Sequence, residues 1–252
     1  MLPKALDQLL GRCMSYSFFR RKLAGIEFIE CPGDPEAPVI IFCHGYGASA
    51  DHLTFFPTMC VCANLRPTWV FPHGIEQLPY QLGGGRAWFP LDTVLFEKLI
   101  SSQEITPDTD RLYQQLLDVD FEKPKQALEG LIHELERDRS EVIIGGFSQG
   151  AMMTTHLMLS SRLPYRGALI CSGAAVPNQS WEENASLCGK TPYIQSHGYD
   201  DPILPYFLGE RLYKVLTASL KGEMVSFHGG HEIPVVMMQK IQESIALWSQ
   251  ST

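Results

Sequence analysis

The sequence predicts an α/β fold: a mostly parallel sheet with helices on both faces. Three observations carry that reading. Short, continuous apolar runs rich in β-branched residues recur along the chain, as in strands buried on both sides. Helical patterns lie between several of them. One run, "EVIIGGF" (141–147), passes through "SQG" directly into "AMMTTHLML", which reads as a strand, a sharp turn and a helix with Ser148 at the apex.

The strands are expected at "PVIIFC" (38–43), "TWVF" (68–71), "EVIIGGF" (141–147), "RGALIC" (166–171), "TPYIQSH" (191–197) and "EMVSFH" (223–228). Among the helices, "PKQALEGLIHELE" (124–136) opens with a proline suited to a first turn and sets Ala127, Leu128, Leu131, Ile132 and Leu135 on one side. "PYFLGERLYKVLTASL" (205–220) and "PVVMMQKIQESIALWSQ" (234–250) read likewise. From Pro72 to Asp120 no strand is evident. A stretch of that length is usually functional, so 73–120 is expected to cap the site within one domain spanning 1–252.

Composition narrows the class. The 252 residues are 45% hydrophobic and 19% charged, as in a soluble globular protein, with a formal net charge of −8. That charge opposes a nucleic-acid partner, which asks for a basic face. The seven cysteines include no C-x-x-C pair, so neither metal nor organic cofactor is expected, and reduced, buried thiols point to a cytoplasmic protein. No stretch approaches the ~20 apolar residues of a membrane span. Leu2, Leu6, Leu9 and Cys13 share one face of an N-terminal helix. Docking on the domain is its expected use, with peripheral membrane contact helped by Arg20, Arg21 and Lys22 as the alternative.

A serine becomes a nucleophile when it is exposed, fixed in direction and close to a base. Turning from strand into helix crowds the backbone, and Gly146 and Gly150 lack the β-carbons that would collide. Beyond the carboxyl ends of later strands, "SHGYDDPILPY" offers Asp200 and Asp201, and "FHGGHEIP" offers His228 and His231. Asp201, further out and ahead of a proline, is preferred as the acid. His231, beyond two glycines, is preferred as the base. The Gln149 N–H, at the start of a helix, is one expected oxyanion donor; the Tyr46 N–H, between Gly45 and Gly47, is the other. His44 is expected to be structural.

"HGYGAS", "RAWFPLD", "GFSQGAMM", "HGYDDPILP" and "HGGHEIP" together resemble the acyl-protein thioesterase/carboxylesterase family of the α/β-hydrolase fold, over residues 38–250. The resemblance implies Ser148 as nucleophile, Asp201 as acid, His231 as base, and Tyr46 and Gln149 as oxyanion donors. It also implies that Trp88 and Phe89 line the acyl site, and Val176 and Ile203 are expected beside them. Tyr46, Phe55, Phe56 and Ile233 are further apolar residues near the catalytic loops, about half of the whole group being expected only to seal the core. The expected activity is hydrolysis of esters or thioesters of medium or long acyl chains, small-molecule or protein-linked. An acyl-carrier-protein esterase and a binding module that has lost catalysis are the alternatives. The first 25 residues and a longer "TVLFEKLISSQEITPDTDRLYQQLL" depart from the family pattern.

Overall fold

The computed structural model describes residues 16–250 except 63–64, 81–82, 102–105 and 178–179. The N-terminal face of Leu2, Leu6, Leu9 and Cys13 lies outside the described residues. An edge hairpin comes first, β1 (Phe19–Leu23) and β2 (Ile26–Cys31), followed by β3 (Val39–Cys43), α1 (Phe56–Met59) and β4 (Thr68–Pro72). A two-residue hairpin, β5 (Glu76–Gln77) and β6 (Arg86–Ala87), precedes α2 (Thr93–Ser101), α3 (Pro107–Leu116) and α4 (Glu122–Glu134). Strand and helix then alternate: β7 (Val142–Phe147), α5 (Gln149–Ser160), β8 (Gly167–Cys171), α6 (Trp181–Leu187), β9 (Tyr193–Gly198), α7 (Tyr206–Thr217), β10 (Gly222–Phe227) and α8 (Val235–Ser249).

The eight long strands form one sheet in the order β1-β2-β4-β3-β7-β8-β9-β10. It is parallel from β4 to β10, and β1 and β2 join antiparallel at one edge. This is the α/β-hydrolase architecture. The six strands expected from apolar runs are all present. β1 and β2 were not expected. In β2, "IEFIEC" keeps Glu27 exposed between buried Ile26 and Phe28, an alternating strand rather than a continuous run. In β1, "FRRKL" is polar and exposed, and its charges blunt an edge that would otherwise invite pairing.

The alternation of side chains across the sheet explains the continuous runs. In β3, Val39, Ile41 and Cys43 enter the cluster under α4, α5 and α7, while Ile40 and Phe42 enter the one under α8. Helix α5 is buried through Leu159, so it lacks a polar face, and Thr154 and Thr155 return their hydroxyls to the Gly150 and Ala151 carbonyls. The stretch where no strand was evident holds the short β5–β6 hairpin, which was not expected, and the helices α2 and α3. α3 opens with a box in which Thr106 and Thr109 cap each other, and Arg211 of α7 pairs with Asp110 at 3.0 Å. The six described cysteines are free and buried.

Phe56 is fully buried, stacked on Phe55 at 4.7 Å and set against Phe42 at 4.3 Å and Trp69 at 5.5 Å. It seals the core. Replacing it leaves a cavity among rigid rings, so Phe56→Ala is expected to lower stability by about 3–5 kcal/mol in urea denaturation.

Candidate active site

Ser148 stands between β7 and α5 with φ 56° and ψ −118°, a backbone conformation costly for a residue with a β-carbon. Its surroundings force it. A β-carbon on Gly146 would overlap the Gly150 carbonyl, and one on Gly150 would overlap the Cys43 carbonyl. The Ser148 N–H donates to the Cys171 carbonyl at 2.9 Å, and the Ser148 carbonyl accepts from Ala151 and Met152. The side chain is therefore held at the helix N-terminus, half exposed.

The loops after β9 and β10 supply an acid and a base. Asp201 Oδ2 lies 2.7 Å from His231 Nδ1, with the carboxylate wholly buried and the imidazole 14% exposed. A carboxylate only accepts, so Nδ1 carries a proton aimed at it. The Asp201 Oδ1 accepts the N–H groups of Ile203 and Leu204, both at 2.9 Å. His231 packs 4.8 Å from the ring of Phe147, the residue before Ser148. Among the described residues His231 is not hydrogen-bonded to Ser148 Oγ; such a bond commonly tightens only with substrate in place. Asp200 and His228 are both exposed, and His228 packs against Tyr199 at the end of β10. Ser172 donates to the Glu232 carbonyl at 3.2 Å, and Asp200 N–H donates to Gly229, knitting the loops together.

The turn at 44–48 is braced from three sides. Gly47 takes a positive φ of 76° and donates to Arg86, while the Arg86 N–H donates to Ala48. Trp88 Nε1 donates to the His44 carbonyl at 2.8 Å. His44 is buried; its Nε2 accepts from Gly74 N–H at 2.8 Å, so its proton sits on Nδ1, facing the Gly45 carbonyl. Burial pushes its pKa down to about 4, keeping it neutral. Gln149, the first residue of α5, has no intrahelical acceptor for its N–H. Its side chain bolts the 88–89 segment to the helix: Oε1 accepts from Trp88 N–H at 2.8 Å and Nε2 donates to the Phe89 carbonyl at 2.7 Å. Sequence reasoning had missed this role for Gln149, since no motif spacing predicts a long-range amide brace.

Beside Ser148 lies an apolar slot of about 30 Å³ lined by Tyr46, Phe89, Leu91, Leu117, Met152 and Ile203, among others. Trp88 is not in its wall; it is fully buried beneath the turn it supports. Val176 faces a neighbouring cavity of about 430 Å³, and Leu117 borders both spaces. The sequence singles out none of Leu91, Leu116, Leu117 and Met152: Leu116 and Met152 lie in helices, where such residues usually read as core, and Leu91 and Leu117 lie just before α2 and just after α3.

Fold and site define a hydrolase of the α/β class. The model of the phospholipase/carboxylesterase family matches residues 24–249, and the chain belongs to that family. It is similar to acyl-protein thioesterase 1 of Debaryomyces hansenii, 27% identical over 215 residues covering 79% of this chain and 84% of that protein. The enzyme of the same name from Saccharomyces cerevisiae is 28% identical over 184 residues, 69% of this chain and 75% of the other. Arabidopsis thaliana SOBER1 superposes with a TM-score of 0.64 at 21% identity, covering 84% of this chain and 99% of that one. Esterase PE8 gives 0.64 at 18% identity, covering 91% and 97%. The chain is an enzyme of the carboxylesterase/thioesterase type. Among the described residues no helix is long and apolar enough to cross a membrane.

Buried neutral histidines make stability depend on pH, His44 and His156 most of all. Burial lowers both His44 and His156 to about 4, His156 accepting from Trp181 Nε1. The unfolded chain protonates its histidines near the ordinary value of about 6.5, so stability is expected to fall as pH drops from about 6.5 to about 4. Urea midpoints across that window should show the loss, and His156→Gln should flatten the slope. At the elbow, Gly150→Ala is expected to lower stability or catalysis sharply, whereas the same change at Gly25, with no atom near its absent β-carbon, should leave the turnover of a model ester intact.

Proposed function

We propose that the enzyme cleaves carboxylic esters or thioesters of medium to long acyl chains, small-molecule or protein-linked, through Ser148, His231 and Asp201. The observation that carries the reading is the 2.7 Å Asp201–His231 bond on loops packed beside the residue preceding a strained, glycine-framed serine. His231 Nε2 takes the Ser148 proton as Oγ attacks the carbonyl carbon. The Tyr46 and Gln149 N–H groups receive the oxyanion. His231 then protonates the departing alcohol or thiol, and water activated by the same imidazole releases the acid. Asp201 holds the imidazole in the Nδ1–H tautomer.

The names of the thioesterase relatives support the thioester side of this reading. Residues 73–120 serve as the cap of a single-domain hydrolase, and the buried free thiols suit a cytoplasmic setting. An acyl-carrier-protein substrate is disfavoured by charge, because such a partner is acidic and the enzyme carries −8.

Ser148→Ala is expected to abolish fluorophosphonate labelling and cut ester turnover by about 10⁴-fold or more, with His231→Ala close behind and Asp201→Ala milder. A dead His228→Ala beside an active His231→Ala would reverse the assignment. For the acyl chain, each buried methylene contributes up to about 0.8 kcal/mol, so activity is expected to climb from acetyl to hexanoyl or octanoyl esters. The slot alone is too small for such chains, and Leu117 is the wall to the larger cavity. Leu117→Ala should therefore raise kcat/KM for octanoyl relative to acetyl esters. A wild-type enzyme fastest on acetyl would mark a short-chain esterase.

A further inference from the structure

The Asp201 carboxylate has no exposed surface, and four donors surround it. Three were described above. The fourth is His197, whose Nε2 lies 3.5 Å from Asp201 Oδ2. His197 belongs to β9 and is completely buried. The same Nε2 stands 2.7 Å from the Leu204 carbonyl. A carbonyl only accepts, so this nitrogen carries the proton and directs it at the Leu204 carbonyl, with the Asp201 carboxylate a more distant electrostatic neighbour. Nδ1 then holds a lone pair without a hydrogen-bond partner. α7 packs against it at Gly209, where a β-carbon would overlap the ring.

Leu204 is thus held from both sides. Its N–H donates to Asp201 Oδ1 and its carbonyl accepts from His197. The Asp201–Leu204 turn cannot rotate without breaking one of these bonds inside the protein, where a stranded carbonyl is costly. The titratable groups facing the ring are Asp201, His231 and Tyr206, whose ring lies 6.1 Å away. Burial, helped by His231, outweighs the Leu204 and Gly173 carbonyls and the Asp201 carboxylate and lowers the His197 pKa, which favours the neutral form.

We infer that His197 is a positioning residue: as an Nε2–H donor it pins the 201–204 turn and so sets the direction in which Asp201 meets His231. The inference rests on the proposed roles of Asp201 and His231. It assigns a task to a residue that touches neither the serine nor the slot.

Gln and Met have nearly the same length, and only Gln can replace the Nε2–H donor. With an acetyl ester, too short to report on Ile203 and Leu204, His197→Met is expected to lower kcat about 10- to 100-fold with little change in KM. His197→Gln should recover kcat to within about threefold of wild type. Equal losses in both variants, or no loss in a folded His197→Met, would overturn the inference. Nitrogen-15 spectra of the wild-type imidazoles test it without any variant. His197 should remain the neutral Nε2–H tautomer from about pH 6 to 9, and an Nδ1–H tautomer would overturn it. Fluorophosphonate labelling of the same wild-type sample separates the two claims. A labelled enzyme indifferent at position 197 sinks only this inference, whereas an unlabelled one sinks the reading of the site.

Discussion

The passage from β7 into α5 leaves no room for a β-carbon at Gly146 or Gly150, and the rest of the site is arranged around that shortage of space. Cys43, on the neighbouring strand, presses its carbonyl against Gly150, so β3, β7 and α5 converge within a backbone's width of one another. Ser148 has to adopt a positive φ to make the turn. That unfavourable conformation is sustained because the strands on either side are buried on both faces and cannot relax. Rigidity here is inherited from the sheet. It fixes the serine's direction before any substrate arrives.

The other parts are secured by different means. Asp201 and His231 sit on loops, where a sheet cannot hold them, and buried hydrogen bonds replace it. Asp201 is satisfied at both oxygens, and a second buried histidine holds the same turn. The 44–48 turn is fastened by the short hairpin and by the Gln149 amide, which joins α5 to the segment carrying Trp88 and Phe89. Each brace uses a group that would be costly to bury unpaired. Loss of one brace therefore exposes its partner to a penalty as well as loosening the turn.

Much of this was legible in the sequence because it follows from local rules. Continuous apolar runs mark doubly covered strands, and the glycines around Ser148 mark a turn without β-carbons. The order of acid and histidine after the serine follows from their strands' ends. Where the sequence was silent, the cause was long-range or ambiguous. The "FRRKL" strand is polar because its edge faces water. Trp88 looks like a substrate residue by motif, yet it lies under the 44–48 turn, because an indole N–H can serve a buried carbonyl as well as an aromatic wall can serve a ligand. His197 lies within a recognisable motif, but its partner carbonyl appears only when the chain folds back at Leu204.

The placement of the cysteines has a chemical consequence. Burial pushes the thiols of Cys60 and Cys171 up to about 12 and that of Cys43 higher still, and it raises those of Cys31, Cys62 and Cys188. The thiolate is the reactive form, so at neutral pH these six sulfurs are poor targets for peroxide, alkylating agents or disulfide exchange. Conditions that silence a thiol-dependent hydrolase would leave these buried cysteines, and the core they pack, largely unmodified.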